Sequence, residues 1–180
     1  LSPGGPDEVA RLVGEDDLTG CSILDIGCGA GGIEIALAST HGAGYVTGID
    51  VEDTVLNHAR ELVAKAGLED RVGLVKVAPG PLAFPPETFD VVFSKDSIVH
   101  IPDKHALMRE VFRVLKPGGR FIASDWLIGH DGAPSAQMAE YIKSEGLDFG
   151  MASPGRYKDA MDAAGFLEAK TTSRNAWYRE

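Results

Sequence analysis

The chain has 180 residues, 44% of them hydrophobic, and a formal net charge of −10 at pH 7. This length suits one domain with a buried core, so we expect residues 1–180 to form a single domain. The acidic balance, without a basic run, argues against nucleic acid as a partner. No apolar run approaches the roughly 20 residues of a membrane span, so a membrane is not an expected partner either.

The first residue and the two cysteines bear on processing and compartment. The opening residues do not have the pattern of a secretory signal. Because the chain begins with Leu1 rather than Met, we expect a processed, trimmed or partial chain. Cys21 and Cys28 lie seven positions apart, a spacing that suits neither a zinc site nor a disulfide framework. Buried, reduced thiols are typical of the cytoplasm, so we predict a cytoplasmic protein without a bound metal.

Strands and helices are predicted to alternate, which is typical of an α/β fold with a mostly parallel sheet and helices on both faces. The predicted strands cover 22–27, 45–51, 72–78, 89–94, 121–125 and a last segment at 167–172. The predicted helices cover 8–12, 31–39, 53–66 (capped by Asp53 or Thr54), 105–115, 135–144 and 155–164. Ligands bind such sheets at the carboxyl ends of the strands, which places the candidate site.

A glycine run follows the first predicted strand, where the chain reads LDIGCGAGG from position 24 to 32. Glycines at such a turn let a cofactor approach the backbone, and the following helix adds N–H groups and partial positive charge. The run fits both the G-x-G-x-x-G of dinucleotide-binding folds and the G-x-G-x-G of methyltransferases. Asp25 favours the second, because a carboxylate repels a pyrophosphate and attracts the cationic end of S-adenosylmethionine. A purely structural turn is the remaining alternative.

Four motifs together resemble the class I S-adenosylmethionine-dependent methyltransferases over nearly the whole chain. They are LDIGCGAG at 24–31, GID at 48–50, FDVV at 89–92 and LKPGG at 115–119. The resemblance implies a Rossmann-like fold with S-adenosylmethionine as the cofactor. Because the family continues beyond the position of Glu180, we expect the final antiparallel strand pair to be absent and one sheet edge to be open.

A narrower likeness lies at 94–101, which reads SKDSIVHI and is similar to the Ser-Arg-Asp-x-Ile-x-His-Ile pattern of phosphoethanolamine N-methyltransferases. The segment ASPGRY at 152–157 is also similar to sarcosine and dimethylglycine N-methyltransferases. Both groups methylate small amines. The resemblance therefore implies an N-methyltransferase for a small-molecule amine, first phosphoethanolamine or its methylated forms. Glycine, sarcosine or dimethylglycine in betaine synthesis is the alternative.

In the resembled families, the positions of Asp96 and His100 hold the acid–base pair. A small amine is mostly protonated at pH 7, so it must lose a proton before it can attack a methyl group. A histidine, with a reference pKa of about 6.5, suits that task. We expect a helical turn over 96–100 that puts both side chains on one face. The alternative is that both residues only cap the turn.

The expected cofactor contacts follow the glycine run and the strand ends. Asp25 faces the methionine end, Gly27 and Gly29 let the cofactor lie on the backbone, and Asp50 accepts hydrogen bonds from the ribose hydroxyls. The complete predicted cofactor set is Ser2, Asp25, Gly27, Cys28, Gly29, Asp50, Val51, Ser94 and Lys95.

Two tyrosines, Tyr141 and Tyr157, match aromatic residues of the substrate pocket in the phosphoethanolamine enzymes. A phenol donates to phosphate and its ring stabilises a methylated ammonium. Ordinary core tyrosines are the alternative.

One segment departs from the family pattern. The family places an acid after the third strand to recognise adenine, whereas VAPGPL at 77–82 contains none. Pro79 also lacks an N–H donor, so we expect packing and other backbone groups to hold the adenine. Two hypotheses from other classes stay open: a catalytically inactive cofactor-binding or interaction domain, and a nicotinamide-dependent oxidoreductase.

Overall fold

Five parallel strands form one sheet within the part of the chain that the structure describes. The computed structural model describes residues 4–145 and 150–176, so Ser2 of the predicted cofactor set lies outside the described residues. The strands are β1 (Ser22–Ile26), β2 (Tyr45–Asp50), β3 (Val72–Lys76), β4 (Phe89–Lys95) and β5 (Leu115–Ser124). They lie in the order β3-β2-β1-β4-β5. The helices of the described residues are α1 (Gly5–Val13), α2 (Gly32–Ser39), α3 (Asp53–Lys65), α4 (Lys104–Val114), α5 (Ala136–Glu145) and α6 (Pro154–Ala164).

Helices cover both faces of this sheet. Alternate residues of β1 point to opposite sides, as the pleat of a strand requires. Ile23 belongs to the core that α1 and α2 cover, whereas Leu24 and Ile26 belong to the core that α4 and α6 cover. The predicted Rossmann-like α/β fold is confirmed. None of the helices in residues 4–145 and 150–176 is both long and apolar enough to cross a bilayer.

The predicted strand at 167–172 is wrong. Its residues have no regular structure, and Leu167 is fully exposed. A strand needs a hydrogen-bonding neighbour, and within the described chain no strand pairs with the outer edge of β5. The segment that follows α6 is therefore not part of the sheet.

The start of the fifth strand and the cap of α3 also differ from the prediction. The strand expected at 121 begins at Leu115, because Leu115 pairs with Phe89 before a register shift in the ladder. The expected cap of α3 by Asp53 or Thr54 is wrong, since the N-cap is Glu52 without a side-chain bond. The carboxylate of Asp50 instead accepts the Glu52 N–H, with Oδ1 3.1 Å from the nitrogen. A side chain of the preceding strand thus takes over the capping role.

Alanine is predicted to cost far more at position 27 than at position 29. Both glycines have positive φ, +79° and +54°. A Cβ on Gly27 would lie 2.2 Å from the Ser97 Cβ, whereas a Cβ on Gly29 would meet no atom within 4 Å. We expect Gly27→Ala to lower the free energy of unfolding by about 2–4 kcal/mol, from left-handed strain and overpacking together. Gly29→Ala should cost about 1 kcal/mol from strain alone.

Urea unfolding measures both losses. Equal losses for the two variants would show that the contact between Gly27 and Ser97 does not constrain the loop.

Candidate active site

The glycine loop after β1 is tied to the end of β2 by backbone hydrogen bonds. The N–H groups of Gly27 and Cys28 both donate to the Ile49 carbonyl, at 2.9 and 3.0 Å. The Gly29 N–H donates to Oδ2 of Asp50 at 3.0 Å. The structure therefore brings three predicted cofactor residues, Gly27, Gly29 and Asp50, together at the carboxyl edge of the sheet.

Asp50 lies half-buried at the rim of this loop, next to the exposed Val51. Its two oxygens accept from the N–H groups of Gly29 and Glu52. A carboxylate offers about four lone-pair sites, so Asp50 retains capacity for the two hydroxyls of a ribose. Open space above Gly29 gives a ligand direct access to the backbone. These residues fit the nucleoside part of S-adenosylmethionine.

Asp25 is directed into the interior rather than to the surface of the loop. It is fully buried on the α2 side of the sheet, where it meets the equally buried Glu34 of α2. No donor in the described chain reaches the oxygens of either carboxyl group. The two groups can bond to each other only when one of them holds a proton. Asp25, which was predicted to face the methionine end of the cofactor, thus lies beneath the loop and not on its surface.

Burial controls the charge of this pair. It raises the pKa of Asp25 to about 7, and the neighbouring negative charge of Asp50 adds to the rise. Burial, followed by the charge of Asp25, raises the pKa of Glu34 well above its ordinary value. We therefore assign the proton to Glu34, whose O–H donates to Asp25. Above about pH 7 the pair therefore holds one negative charge instead of two.

Cys28 and Gly48 enclose this carboxyl pair. Burial raises the pKa of the Cys28 thiol, so it is a packing residue and not a thiolate. A Cβ on Gly48 would lie 2.5 Å from Oε1 of Glu34 and 2.7 Å from the Cys28 Cβ. The glycine of the second family motif is thus required by the buried glutamate.

The end of β4 contributes a buried ion pair. Lys95 is buried, and its Nζ lies 2.6 Å from Oδ2 of Asp96. Ser94 is fully buried and its hydroxyl donates to the Ile26 carbonyl at 2.8 Å. The side chains of Ser94 and Lys95 are therefore directed to protein groups, and the pairing of Lys95 with Asp96 was not predicted from the sequence.

The helical turn expected over 96–100 is wrong in extent. A 3-10 turn covers only Ile98–His100, and Asp96 precedes it with φ of +56°. Asp96 adopts this left-handed conformation, which aspartate tolerates better than most residues, while its N–H donates to the Ser124 carbonyl at 2.9 Å. Asp96 and His100 therefore occupy successive parts of one loop, with Asp96 mostly buried and His100 exposed.

Ser97 links this loop to the glycine loop. Its Oγ lies 3.0 Å from the Gly27 carbonyl oxygen and 3.1 Å from that of Lys95. The segment that carries Asp96 and His100 is thus in direct contact with the predicted cofactor loop.

The two predicted substrate tyrosines lie in different environments. Tyr141 on α5 is 55% exposed. Tyr157 on α6 is buried in the core beside α4, with its ring 5.2 Å from Nζ of Lys104. Burial and the charge of Asp125 raise the pKa of the Tyr157 phenol. Only Tyr141 presents its side chain to solvent.

The loop after β3 is anchored to α4. Arg113 donates to the carbonyls of Leu82 and Phe84 at 2.8 and 2.7 Å, and Glu110 accepts the Leu82 N–H at 2.8 Å. This charged pair fixes Leu82, the last residue of the acid-free segment 77–82, against α4.

Two residues of the site region, Glu34 and Lys104, were missed from the sequence. Helix α2 reads GIEIALAS, which is apolar on every side, so a glutamate in it had to be buried. That signal was available. For Lys104 the sequence contains no such signal, because it lies between two polar residues, Asp103 and His105, that are both exposed in the structure.

A family model described as a methyltransferase domain matches residues 17–153. The chain belongs to this methyltransferase family. The resemblance to class I S-adenosylmethionine-dependent methyltransferases, which the four motifs predicted, is confirmed.

The curated relatives include phosphoethanolamine N-methyltransferases, a narrower group within the methyltransferases. Phosphoethanolamine N-methyltransferase of Triticum aestivum is 34% identical over 177 residues, 97% of this chain and 34% of the relative. Phosphoethanolamine N-methyltransferase 1 of Arabidopsis thaliana is 34% identical over 175 residues, with the same coverage. The chain therefore spans about a third of the length of these relatives.

Solved structures agree with this likeness. Phosphoethanolamine N-methyltransferase 2 of Haemonchus contortus, in complex with S-adenosyl-L-methionine, has a TM-score of 0.85 at 29% identity, over 97% of this chain and 39% of its own. A Galdieria sulphuraria protein assigned provisionally to the sarcosine dimethylglycine methyltransferases has a TM-score of 0.77 at 23% identity, over 89% and 60%. The second likeness supports the fold alone.

Replacement of Glu34 by glutamine is predicted to change the pH dependence of stability. The pKa of Asp25 is raised from 3.8 to about 7, so the native state binds protons more tightly than the unfolded chain. The free energy of unfolding therefore falls as the pH rises through that range. Glu34, whose pKa burial also raises well above its ordinary value, adds to this fall. Glu34→Gln removes that titrating group while its side-chain amide still donates to Asp25, so the fall should become shallower. At about pH 8 the variant should exceed the wild type by about 1 kcal/mol or more.

Urea unfolding at about pH 5 and about pH 8 measures the difference. Glu69→Gln, which alters an exposed carboxylate, is the matched control and should follow the wild type. A Glu34→Gln variant that loses stability at both pH values would contradict the shared-proton description.

Proposed function

We propose that this chain is an S-adenosylmethionine-dependent N-methyltransferase that acts on a small amine, first phosphoethanolamine or its methylated forms. The observation that carries the proposal is the hydrogen bond between Ser97 and the Gly27 carbonyl. This bond joins the glycine loop, where a nucleoside cofactor fits, to the segment that bears Asp96 and His100. A methyl donor and a proton acceptor would then meet at one edge of the sheet.

The cofactor part of the proposal is supported by the chemistry of the loop. Gly27 and Gly29 leave the backbone accessible, and Asp50 retains acceptor capacity for ribose hydroxyls. When bound, S-adenosylmethionine would supply a methyl group on a positively charged sulfur: the lone pair of a neutral amine bonds to the methyl carbon, the carbon–sulfur bond breaks, and its electron pair leaves with S-adenosylhomocysteine. When Asp25 is ionised, the Asp25–Glu34 pair places a negative charge beneath the loop, which favours a cation above it.

The proton-transfer part depends on Asp96 and His100. The carboxylate of Asp96 attracts the substrate ammonium, while its ion pair with Lys95 fixes its position. The imidazole of His100, on the exposed end of its turn, accepts the proton that the ammonium must lose. The charge of Lys95 also offsets that of Asp96, so the loop does not hold the ammonium so firmly that it stays protonated.

The choice of substrate is supported by the relatives. Two phosphoethanolamine N-methyltransferases are 34% identical over nearly the whole chain. One such enzyme has also been solved with phosphomonomethylethanolamine and S-adenosylhomocysteine, at a TM-score of 0.82 and 31% identity. Glycine, sarcosine and dimethylglycine remain in the test as the alternative acceptors.

Labelled methyl transfer is the test of this proposal. The acceptor panel holds phosphoethanolamine, its mono- and dimethyl forms, glycine, sarcosine and dimethylglycine. We expect turnover of a phosphoethanolamine form, reduced about 10²- to 10⁴-fold in His100→Ala, as for the loss of a general base. Asp96→Asn should lose activity as well, because the amide no longer attracts the ammonium. His105→Ala, which removes an exposed imidazole on α4, is the matched control and should retain activity.

Binding of S-adenosylhomocysteine separates the possible failures. Turnover of a betaine-pathway amine would transfer the assignment to the alternative substrates. If no acceptor of the panel is methylated although S-adenosylhomocysteine binds, the proposed acceptors are contradicted. If no acceptor is methylated and S-adenosylhomocysteine does not bind, the inactive-domain hypothesis is favoured. Tighter binding of NADH than of S-adenosylhomocysteine would favour an oxidoreductase.

A further inference from the structure

A buried ammonium supports the turn that carries His100. Lys104, at the start of α4, is only 1% exposed. Its Nζ donates to the Ile98 carbonyl at 2.6 Å and to the Ile101 carbonyl at 2.5 Å. These two carbonyls lie on either side of His100, so one side chain fixes both ends of the turn. The ring of Tyr157 lies 5.2 Å from the same Nζ and completes its enclosure.

Asp125, just after β5, holds the middle of the same turn. Its Oδ2 accepts the Val99 N–H at 2.5 Å, and its Oδ1 accepts the Trp126 N–H at 2.7 Å. The Val99 carbonyl in turn accepts the Gly150 N–H at 2.7 Å. The backbone on both sides of Val99 is therefore fixed, one residue before His100. The opposite charges of Asp125 and Lys104 also stabilise each other.

The start of α4 does not require this lysine. Asp103 already caps the helix, with its side chain accepting the Ala106 N–H at 2.9 Å. Burial lowers the pKa of Lys104 to about 8, which reflects the free-energy cost of removing an ammonium from water. A nonpolar residue of similar size would avoid that cost in a core position. The charge is therefore retained for the two carbonyls of the His100 turn.

We infer that Lys104 is a positioning residue for methyl transfer, which acts through His100 by fixing the Ile98–His100 turn against Asp125. The inference rests on the proposed function for the role of His100 in the reaction. Lys104 itself is buried, and its Nζ is directed to two protein carbonyls.

A double-mutant cycle tests whether Lys104 acts through His100. Lys104→Met should lower kcat about 10- to 100-fold, as expected for a misplaced base, with S-adenosylhomocysteine binding within about threefold of the wild type. In the His100→Ala background, the same change should lower kcat by less than about twofold, because the positioned group is already gone. Lys116→Met removes an ammonium from the Asp90 ion pair at the other end of β5 and is the matched control.

An equal loss of kcat in both backgrounds, or no loss from Lys104→Met, would overturn the inference. Asp125→Ala removes the other support and replaces Lys104→Met in the cycle if that variant fails to bind S-adenosylhomocysteine.

Amide hydrogen exchange tests the inference without any methyl transfer, so it stays decisive if no amine of the panel is a substrate. The Val99 amide should exchange at least about 10-fold faster in Lys104→Met, because the turn is held at fewer points. The His100 imidazole resonance should shift in the same variant. Lys116→Met should change neither. Unchanged exchange and an unchanged His100 resonance in Lys104→Met would overturn the inference even if the proposed function holds.

Discussion

Contact between two loops at the carboxyl edge of the sheet is the constraint on which the site depends. Gly27 approaches Ser97 so closely that a Cβ would overlap the serine side chain, and the Ser97 hydroxyl bonds to the Gly27 carbonyl. This contact requires glycine at a left-handed position and a small polar residue opposite. The parallel pairing of β1 with β4 brings these loops together, so the sheet topology itself creates the junction.

Three sets of buried ionisable groups lie around this junction. Asp25 and Glu34 share a proton beneath the glycine loop, Lys95 and Asp96 form an ion pair beside it, and Lys104 holds carbonyls below the His100 turn. A buried charge is costly unless it is paired or fully hydrogen-bonded. Such a concentration of buried charges at one edge of the sheet is typical of a functional region. Polar groups here fix backbone positions that apolar packing would leave less well defined.

The sequence was most informative where local chemistry decides the structure. The glycine run after an apolar strand predicted the loop, and the GID motif predicted that Asp50 would lie beside it, because strand ends meet at one edge of a parallel sheet. The assignment of helices to both faces followed from the alternation of strands and helices.

Predictions failed where partners distant in sequence decide the structure. The segment 167–172 has the composition of a strand but no neighbour to pair with in the described chain. The turn at Asp96 is shortened because its N–H bonds to Ser124, which lies on another strand. In the sequence, Lys104 resembles a surface lysine. Its burial depends on carbonyls of the preceding loop and on Tyr157 of α6, which the local sequence does not reveal. No pattern along the chain encodes these contacts directly.

Calorimetric binding of S-adenosylhomocysteine to the wild type and to Asp50→Asn tests most directly whether this edge of the sheet is a cofactor site. Loss of hydrogen bonds to a charged acceptor predicts binding weaker by about 10-fold or more in Asp50→Asn. Asp53→Asn, an exposed neighbour at the start of α3, should bind within about twofold of the wild type. Unchanged affinity in Asp50→Asn, or tighter binding of NADH than of S-adenosylhomocysteine by the wild type, would contradict the assignment.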